Sequence, residues 1–151
     1  MARRYSVATG VVALSAGATK SLWLLDPVAK GFTVIQWGVS FNASASSVPI
    51  QVDLYVVTSL GTPAGTTGVE QAIDGNAVTA DTTSLTALTT EPTTKVLIES
   101  YYVQPFGGLF TLQYPLGREP VGIGAGDRIG LQCVTPASVS PSAIGFVYFE
   151  E

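Results

Sequence analysis

The chain has 151 residues, which is enough for one domain that buries about 68 to 70% of its extended-chain surface without disulfides or metals. Hydrophobic residues make up 46% of it and charged residues 12%, about half of the usual charged share of about 25%. A net charge of −4 with no histidine leaves no basic stripe for general nucleic-acid binding and excludes every catalytic arrangement that uses histidine as a base.

So little charge on so apolar a chain predicts that other subunits cover part of its surface; a monomer whose surface is rich in threonine, serine and glycine is the alternative. No apolar run approaches the roughly 18 residues of a membrane helix, and the run at 11–14 is too short for a secretory signal. We therefore expect a protein that is made in a cytoplasm and kept from about residue 1. The single cysteine, Cys133, lies in an apolar alternation, which predicts a small buried side chain, and an intrachain disulfide is impossible.

Residues 1–10, MARRYSVATG, predict an N-terminal arm that either frays or docks on a neighbour, in front of a single domain at 11–151. Two short strands are expected at 11–16 and 21–25. Residues 32–42 predict a long core strand, because the apolar side chains recur at every second position. Those on its inner face are Ile35, Trp37, Val39 and Phe41.

The polar loop at 43–47 leads to a second alternation at 50–57, so it is interpreted as a hairpin or a crossing between sheets. Residues 59–93 then form a long insertion with no aromatic and no basic residue and with ten threonines. A loop of this length is uncommon in a compact domain, and the threonines disfavour a helix beyond a single turn at 69–73. Leu85 and Leu88 are expected to tether the insertion to the body.

The stretch 94–134 contains three strand-like runs. Those at 95–103 and 109–114 are expected to form a hairpin, because Pro105, Gly107 and Gly108 separate them. A turn at 124–127 leads into a strand at 128–134 with one dry and one wetter face. The last strand, 143–149, is apolar on both faces, which predicts burial on both sides.

Eight or nine strands without helical periodicity predict an all-β chain, an antiparallel β-sandwich, and a jelly roll fits the moderate strand lengths and the one long connection best. An immunoglobulin-like sandwich is the alternative, although the cysteine pair of that fold is missing.

Chemistry-bearing motifs are scarce. The missing histidine and the lone cysteine also exclude the usual zinc sites, and the eleven acids are too scattered for paired-carboxylate hydrolysis. The DGN at 74–76 lacks the spacing of a calcium loop, and the GIGAG at 122–126 leads into a strand, so both are interpreted as turns. We expect no enzyme, no cofactor and no metal. Tyr101, Tyr114 and Tyr148 fit sheet packing or subunit contact better than sugar stacking.

Three segments carry a resemblance: residues 2–10, the PLGRE at 115–119, and 143–150. In these the chain resembles the jelly-roll type of tailed-phage capsid decoration, or head-stabilisation, proteins. The turn and strand AGDRIGLQC at 125–133 is also similar to the entry of a late strand in tumour-necrosis-factor-like jelly rolls, which form trimers. The resemblance implies a homotrimer on the outer surface of a virion capsid, in contact with the major capsid protein and with neither nucleic acid nor membrane.

On this basis Arg3, Arg4 and Tyr5 are hypothesised to contact the capsid, and Tyr101 and Phe149 the neighbouring subunit. A tail or fibre component remains open within the same structural class. A carbohydrate-binding jelly-roll module is the alternative from a different class, with exposed tyrosines or tryptophans on a concave face as its binding surface.

Overall fold

The computed structural model describes residues 2–42, 48–75 and 78–151. Within them the chain forms twelve β-strands and no helix. The strands are β1 Arg4–Ala13, β2 Thr19–Asp26, β3 Phe32–Phe41, β4 Ile50–Ser59, β5 Ala64–Thr67, β6 Gln71–Ala72, β7 Thr83–Thr90, β8 Thr94–Val103, β9 Phe110–Gln113, β10 Val121–Gly122, β11 Ile129–Val134 and β12 Ser142–Glu150.

The strands pair antiparallel in two sheets that pack face to face. Sheet A has the order β10-β3-β12-β1-β6, with β9 also paired to β3, and sheet B has the order β5-β7-β2-β11-β4-β8. Among the eight principal strands, β1 pairs with β12, β2 with β11, β3 with β9, and β4 with β8. This nested pairing of first with last is that of a jelly roll, which confirms the expected fold over the immunoglobulin-like alternative.

The core between the sheets forms from side chains that alternate inward along these strands. Its largest members are aromatic: Tyr5, Trp23, Phe32, Trp37 and Phe149. Cys133 is fully buried in the same core, as its apolar alternation predicted.

Ile35, expected in the core, is only half-buried. The register of β12 on β3 shifts between Tyr148 and Phe149, so that Ile35 is an extra residue in a bulge. The inward alternation therefore changes phase at that point, and Val34 rather than Ile35 is buried.

The expected N-terminal arm is wrong for residues 4–10, which belong to β1. This strand lies between β12 and β6 in sheet A, and only Ala2 and Arg3 of the described residues precede it. A register shift between Ala8 and Val11 explains the error, because it breaks the alternation that would have marked 4–13 as one strand.

The expected hairpin of 95–103 with 109–114 is also wrong. β8 pairs along its length with β4 in sheet B, whereas β9 pairs with β3 in sheet A. Turn residues mark where a strand ends, but they do not decide whether the chain returns beside it or crosses to the other sheet. β3 and β4 also lie in different sheets, so the chain crosses there rather than forming a hairpin; residues 43–47 lie outside the described residues.

The insertion forms strands rather than an unstructured loop or a helical turn. β7 pairs with β2, β5 pairs with β7, and β6 pairs with β1. It therefore extends both sheets at the same side of the sandwich. Leu88 is buried and Leu85 is packed beside it, as expected for the tether.

Candidate functional site

Sheet B carries a second, smaller core on the face turned away from sheet A. Leu24 points there because its neighbours Trp23 and Leu25 point into the main core. Tyr55 and Leu88 complete it together with Val57. The face of β11 that was expected to be wetter is also covered, since Gln132 is buried.

The cover on this face is the segment 87–94, here called the strap. Ala87 has a φ of +48°, and beyond it the chain leaves its pairing with β2. It then crosses sheet B from β7 to β8, which lies at the opposite edge. A positive φ is uncommon for alanine, so this bend is held by its surroundings.

A cluster of polar side chains fastens the strap to the sheet. The Glu91 carboxylate accepts the Ser21 backbone N–H at 2.7 Å and the Ser21 hydroxyl at 2.5 Å. Lys95 Nζ lies 2.5 Å from the same carboxylate and donates to Gln132 Oε1 at 2.7 Å. The Lys95 ammonium also lies 4.6 Å from the centre of the Tyr55 ring.

The cluster continues across sheet B to Asp53. Gln132 Nε2 donates to one Asp53 carboxylate oxygen at 3.0 Å, and Gln51 Nε2 donates to the other at 2.8 Å. Because the Ser21 hydroxyl proton goes to Glu91, the Tyr55 hydroxyl is the donor in its 2.8 Å bond to Ser21. Burial raises the pKa of the Tyr55 phenol, which favours this neutral donor form.

This cluster brings together a serine, a lysine and carboxylates, but its geometry does not favour catalysis. Ser21 is fully buried, so no substrate reaches its hydroxyl. Lys95 Nζ contacts Glu91 at 2.5 Å and Gln132 at 2.7 Å, whereas it lies 3.4 Å from the Ser21 hydroxyl that a base would have to activate. Sequence reasoning missed the cluster; its signal was the polar residues at positions where strands β2, β4 and β11 are otherwise apolar.

An aromatic wall closes the opposite side of the sandwich, between β8 and β9. The rings of Trp37, Tyr101 and Phe110 lie 5.4 to 6.1 Å apart. The Tyr114 hydroxyl accepts the Trp37 indole N–H at 3.0 Å and donates to Glu99 at 2.8 Å. Burial raises the pKa of Tyr114, and to a lesser degree that of Tyr101, so both phenols act as packing residues and neutral donors.

Next to this wall, the edge strand β8 exposes large apolar side chains. This surface, the β8 patch, continues into the connection to β9, and Tyr102 is 75% exposed. Its members are exposed along this edge, with Val96 and Leu97 on opposite faces of the strand: Val96, Leu97, Ile98, Tyr102, Phe106 and Leu109. Long apolar edge strands are sites of association, because their backbone groups and side chains are both open to a partner.

A second exposed apolar surface lies on the outer face of sheet A. This β12 stripe consists of Ile144, Phe146, Tyr148 and the neighbouring Val11. The Phe146 ring lies over Gly38, where any Cβ would collide with it. β12 was expected to be buried on both faces. In the single chain its inner face is buried and its outer face, which carries Ile144 and Tyr148, is partly exposed.

Tyr5 and Phe149 do not lie where the contact hypotheses placed them. Both point into the main core at 1% and 0% exposure, where their rings stack at 5.5 Å. They are register partners of β1 and β12, and both side chains face inward. The hypotheses that Tyr5 contacts the capsid and that Phe149 contacts a neighbouring subunit are therefore wrong, because both side chains are buried in the main core. Tyr101 is half-buried in the aromatic wall beside the β8 patch.

Arg3 and Arg4 are exposed at one end of sheet A. Arg4 Nε lies 2.7 Å from a Glu150 carboxylate oxygen, and the Arg4 backbone N–H donates to Asp74 at 3.1 Å. A cleft of about 460 Å³ opens beside this ion pair. It is lined by Arg4, Ser6, Ile35, Ile73, Gln113, Tyr148, Phe149 and Glu150.

The glycine-rich segment 122–126 forms a turn, as expected. Asp127 N–H donates to the Gly124 carbonyl at 3.0 Å, and the chain then enters β11. A Cβ on Gly31 would collide with the carbonyls of Gly122 and Ile123. The backbone at Gly31 therefore packs directly against the backbone of the 122–126 segment, which only glycine allows. Of the DGN turn, Asn76 lies outside the described residues.

In the described parts of the chain, no group of three or more histidine, cysteine or acidic side chains is arranged to hold a metal ion. No helix in those parts is long and apolar enough to cross a membrane. No family model matches the chain, and no curated protein matches it.

Proposed function

We propose that this chain is a structural virion protein of a tailed phage, a homotrimer that decorates and stabilises the outer capsid surface without catalysing a reaction. The observation that carries the proposal is that a closed jelly roll leaves two separate apolar surfaces exposed, the β8 patch and the β12 stripe. A monomer rarely exposes such surfaces without a partner.

Two different surfaces on one chain favour a head-to-tail contact, in which the β8 patch of one copy meets the β12 stripe of the next. Such a contact closes into a ring when the rotation allows it. Tyr101 supports the β8 patch from behind, so its place at the subunit interface is kept as part of the proposal. Phe146 and Tyr148, which face outward from the same strand, replace Phe149.

The proposal is tested by the mass of the purified protein in light scattering at micromolar concentration. We expect three times the 15.7 kDa of the single chain. Leu97→Lys places a charge in the β8 patch and should give a folded monomer, and Ile144→Lys should do the same from the other surface. Val69→Lys is the matched control, because Val69 is exposed outside both surfaces. A monomeric wild type would contradict the trimer.

The cleft beside Arg4 favours a second candidate, the binding of a saccharide. Tyr148 offers an aromatic face, while Arg4, Glu150 and Gln113 offer hydrogen-bonding groups, which together suit a sugar ring. The acids Asp74 and Glu150 beside the guanidinium favour a neutral sugar over an anionic one. Glycan-array binding that Tyr148→Ala abolishes would favour this candidate, and capsid binding by the wild type with an empty array would favour the first.

A further inference from the structure

An amine and a carboxamide meet inside the polar cluster that fastens the strap. Lys95 lies at the start of β8 and Gln132 lies in β11, with β4 between the two strands. Lys95 Nζ is 2.7 Å from Gln132 Oε1, so the amide carbon, one bond farther, lies within about 4 Å of the amine nitrogen. This separation is close to the roughly 3 to 3.5 Å of atoms that are poised to react.

The two neighbours of the Gln132 amide determine its orientation. A lysine amine nitrogen that is protonated can only donate hydrogen bonds, so the carbonyl oxygen of the amide faces Lys95. The amide nitrogen points the other way and donates to the Asp53 carboxylate at 3.0 Å. The carbonyl is therefore turned towards the amine, and the nitrogen that amide exchange would release is turned away from it.

Glu91 is placed to take the proton that the amine must lose before it can attack. Its Oε2 atom lies 2.5 Å from Lys95 Nζ, within the reach of a general base. The Ser21 N–H donates to the Oε1 atom at 2.7 Å, and the Ser21 hydroxyl donates to Oε2. These bonds hold the carboxylate against the amine.

The surroundings of the pair limit the access of water, which would compete with the amine for the amide carbon. Gln132 is 7% exposed, and the Lys95 side chain is 14% exposed. The Tyr55 ring, which belongs to the second core, lies 4.6 Å from Lys95 Nζ. Two reactants that are held together in such a site react as if at a very high concentration.

We propose that Lys95 and Gln132 form an isopeptide bond in the folded chain. Glu91 accepts one proton from the Lys95 ammonium, and the freed electron pair on Nζ forms a bond to Gln132 Cδ. The bond from Cδ to Nε2 then breaks, and its electron pair stays on Nε2. This nitrogen takes a second proton from Nζ and leaves as ammonia, which receives the proton held by Glu91 and departs as ammonium.

The reaction needs no oxidant, reductant or external reactant. It takes place once in each chain and turns over no substrate, so the ion pair of Glu91 with Lys95 is the state before the bond forms. The proposal does not rest on the capsid role or on the trimer.

The bond would fasten the open edge of sheet B. β8 is the last strand of this sheet, and among the described strands it pairs only with β4. A covalent link across β4 to β11 would keep β8 from separating from the sheet. It would also close a loop between residues that are 37 positions apart, which restricts the unfolded chain as a disulfide does.

The test is the intact mass of the purified protein, measured in denaturant after prolonged incubation of the folded chain. We expect the wild type to be lighter than its sequence mass by one ammonia, and its digest to contain peptides joined at Lys95 and Gln132. Lys95→Arg keeps the positive charge but removes the nucleophilic amine, so it should have its full sequence mass. Lys30→Arg is the matched control, because Lys30 is exposed outside the cluster, and it should lose ammonia as the wild type does.

The wild-type mass decides the proposal even where a variant does not fold. A wild type with its full sequence mass, or an ammonia loss that maps to other residues, would overturn the bond. Glu91→Gln should form the bond at least about a hundredfold more slowly, because the proton acceptor is lost. A rate equal to that of the wild type would overturn the role of Glu91.

Discussion

Two residues with shifted acidity lend themselves to direct tests, and Cys133 is the first. Its thiol is fully buried, and burial raises its pKa, so almost no thiolate forms near neutral pH. We expect no reaction with a thiol reagent at pH 8 in the native protein, and complete reaction in denaturant. Rapid labelling of the native protein would show that the β11 region opens.

Asp81 predicts a local effect of pH. Its pKa is lowered below the usual 3.8, first by the Lys30 N–H and then by the Ala29 N–H, both of which its carboxylate accepts at 2.7 Å. Because the pKa of Asp81 is lower in the folded state, its carboxylate stabilises the fold at pH values above the pKa of the unfolded state. This stabilisation is lost as the pH falls below 3.8 and through the folded pKa.

Asp81→Asn should therefore flatten the acid side of the stability profile. Thermal melts between pH 5 and pH 2 measure this, with unchanged behaviour of the variant near pH 3 counting against the role. Asp127→Asn is measured beside it for comparison. Asp127 also accepts a backbone N–H, that of Ile123, but in a different turn.

At the level of elements, the strap depends on the ion pair of Glu91 with Lys95. Both side chains are mostly buried, whereas the Arg4–Glu150 pair is largely exposed on its arginine side. Removing one partner of a buried pair leaves a charge without compensation. We expect Glu91→Ala to lower the free energy of unfolding by about 2 kcal/mol, after a discount for its partial exposure.

The control is Arg4→Ala, which should lower the free energy of unfolding less than Glu91→Ala does, because the Arg4 guanidinium is exposed to solvent. Urea unfolding of both variants gives the comparison. Equal losses would mean that the strap is held by its apolar contacts alone.

The bend at Ala87 gives a second test of the strap. Glycine adopts a positive φ without the steric cost that a Cβ imposes, whereas a β-branched side chain makes that cost larger. Ala87→Val should lower the melting temperature and Ala87→Gly should not. An Ala87→Val protein that melts at the wild-type temperature would contradict a positive φ at this residue.

The sequence could predict the elements whose alternation is unbroken. β11 follows period two, and its expected core residues Ile129, Leu131 and Cys133 are buried, although Gln132 on its other face is buried as well. Prediction failed where a bulge changes the phase, as at Ala8 to Val11 and at Ile35, because one extra residue moves every following side chain to the other face. It also failed for β7, whose threonines adopt a strand conformation because β7 pairs with β2 and with β5.

The candidate sites were less predictable than the fold, since they depend on contacts between distant strands. Glu91 and Ser21 are seventy positions apart, and nothing local to either indicates the bond between them. Tyr5 and Phe149 were misplaced because an aromatic residue near a terminus looks exposed until its pairing partner is known.

At the level of the whole molecule, a closed sandwich with two exposed apolar surfaces fits a subunit that binds neighbours on more than one side. The proposed ring would cover the β8 patch and the β12 stripe. In a single-site variant such as Leu97→Lys, loss of the trimer should also weaken head binding, because three linked contacts become one.

The most direct test of the proposed role is a density map of the assembled phage particle. We predict threefold clusters of this jelly roll on the outer face of the expanded head, with the β8 patch between copies. A particle that lacks the protein, or one that carries it only in the interior, would contradict the account.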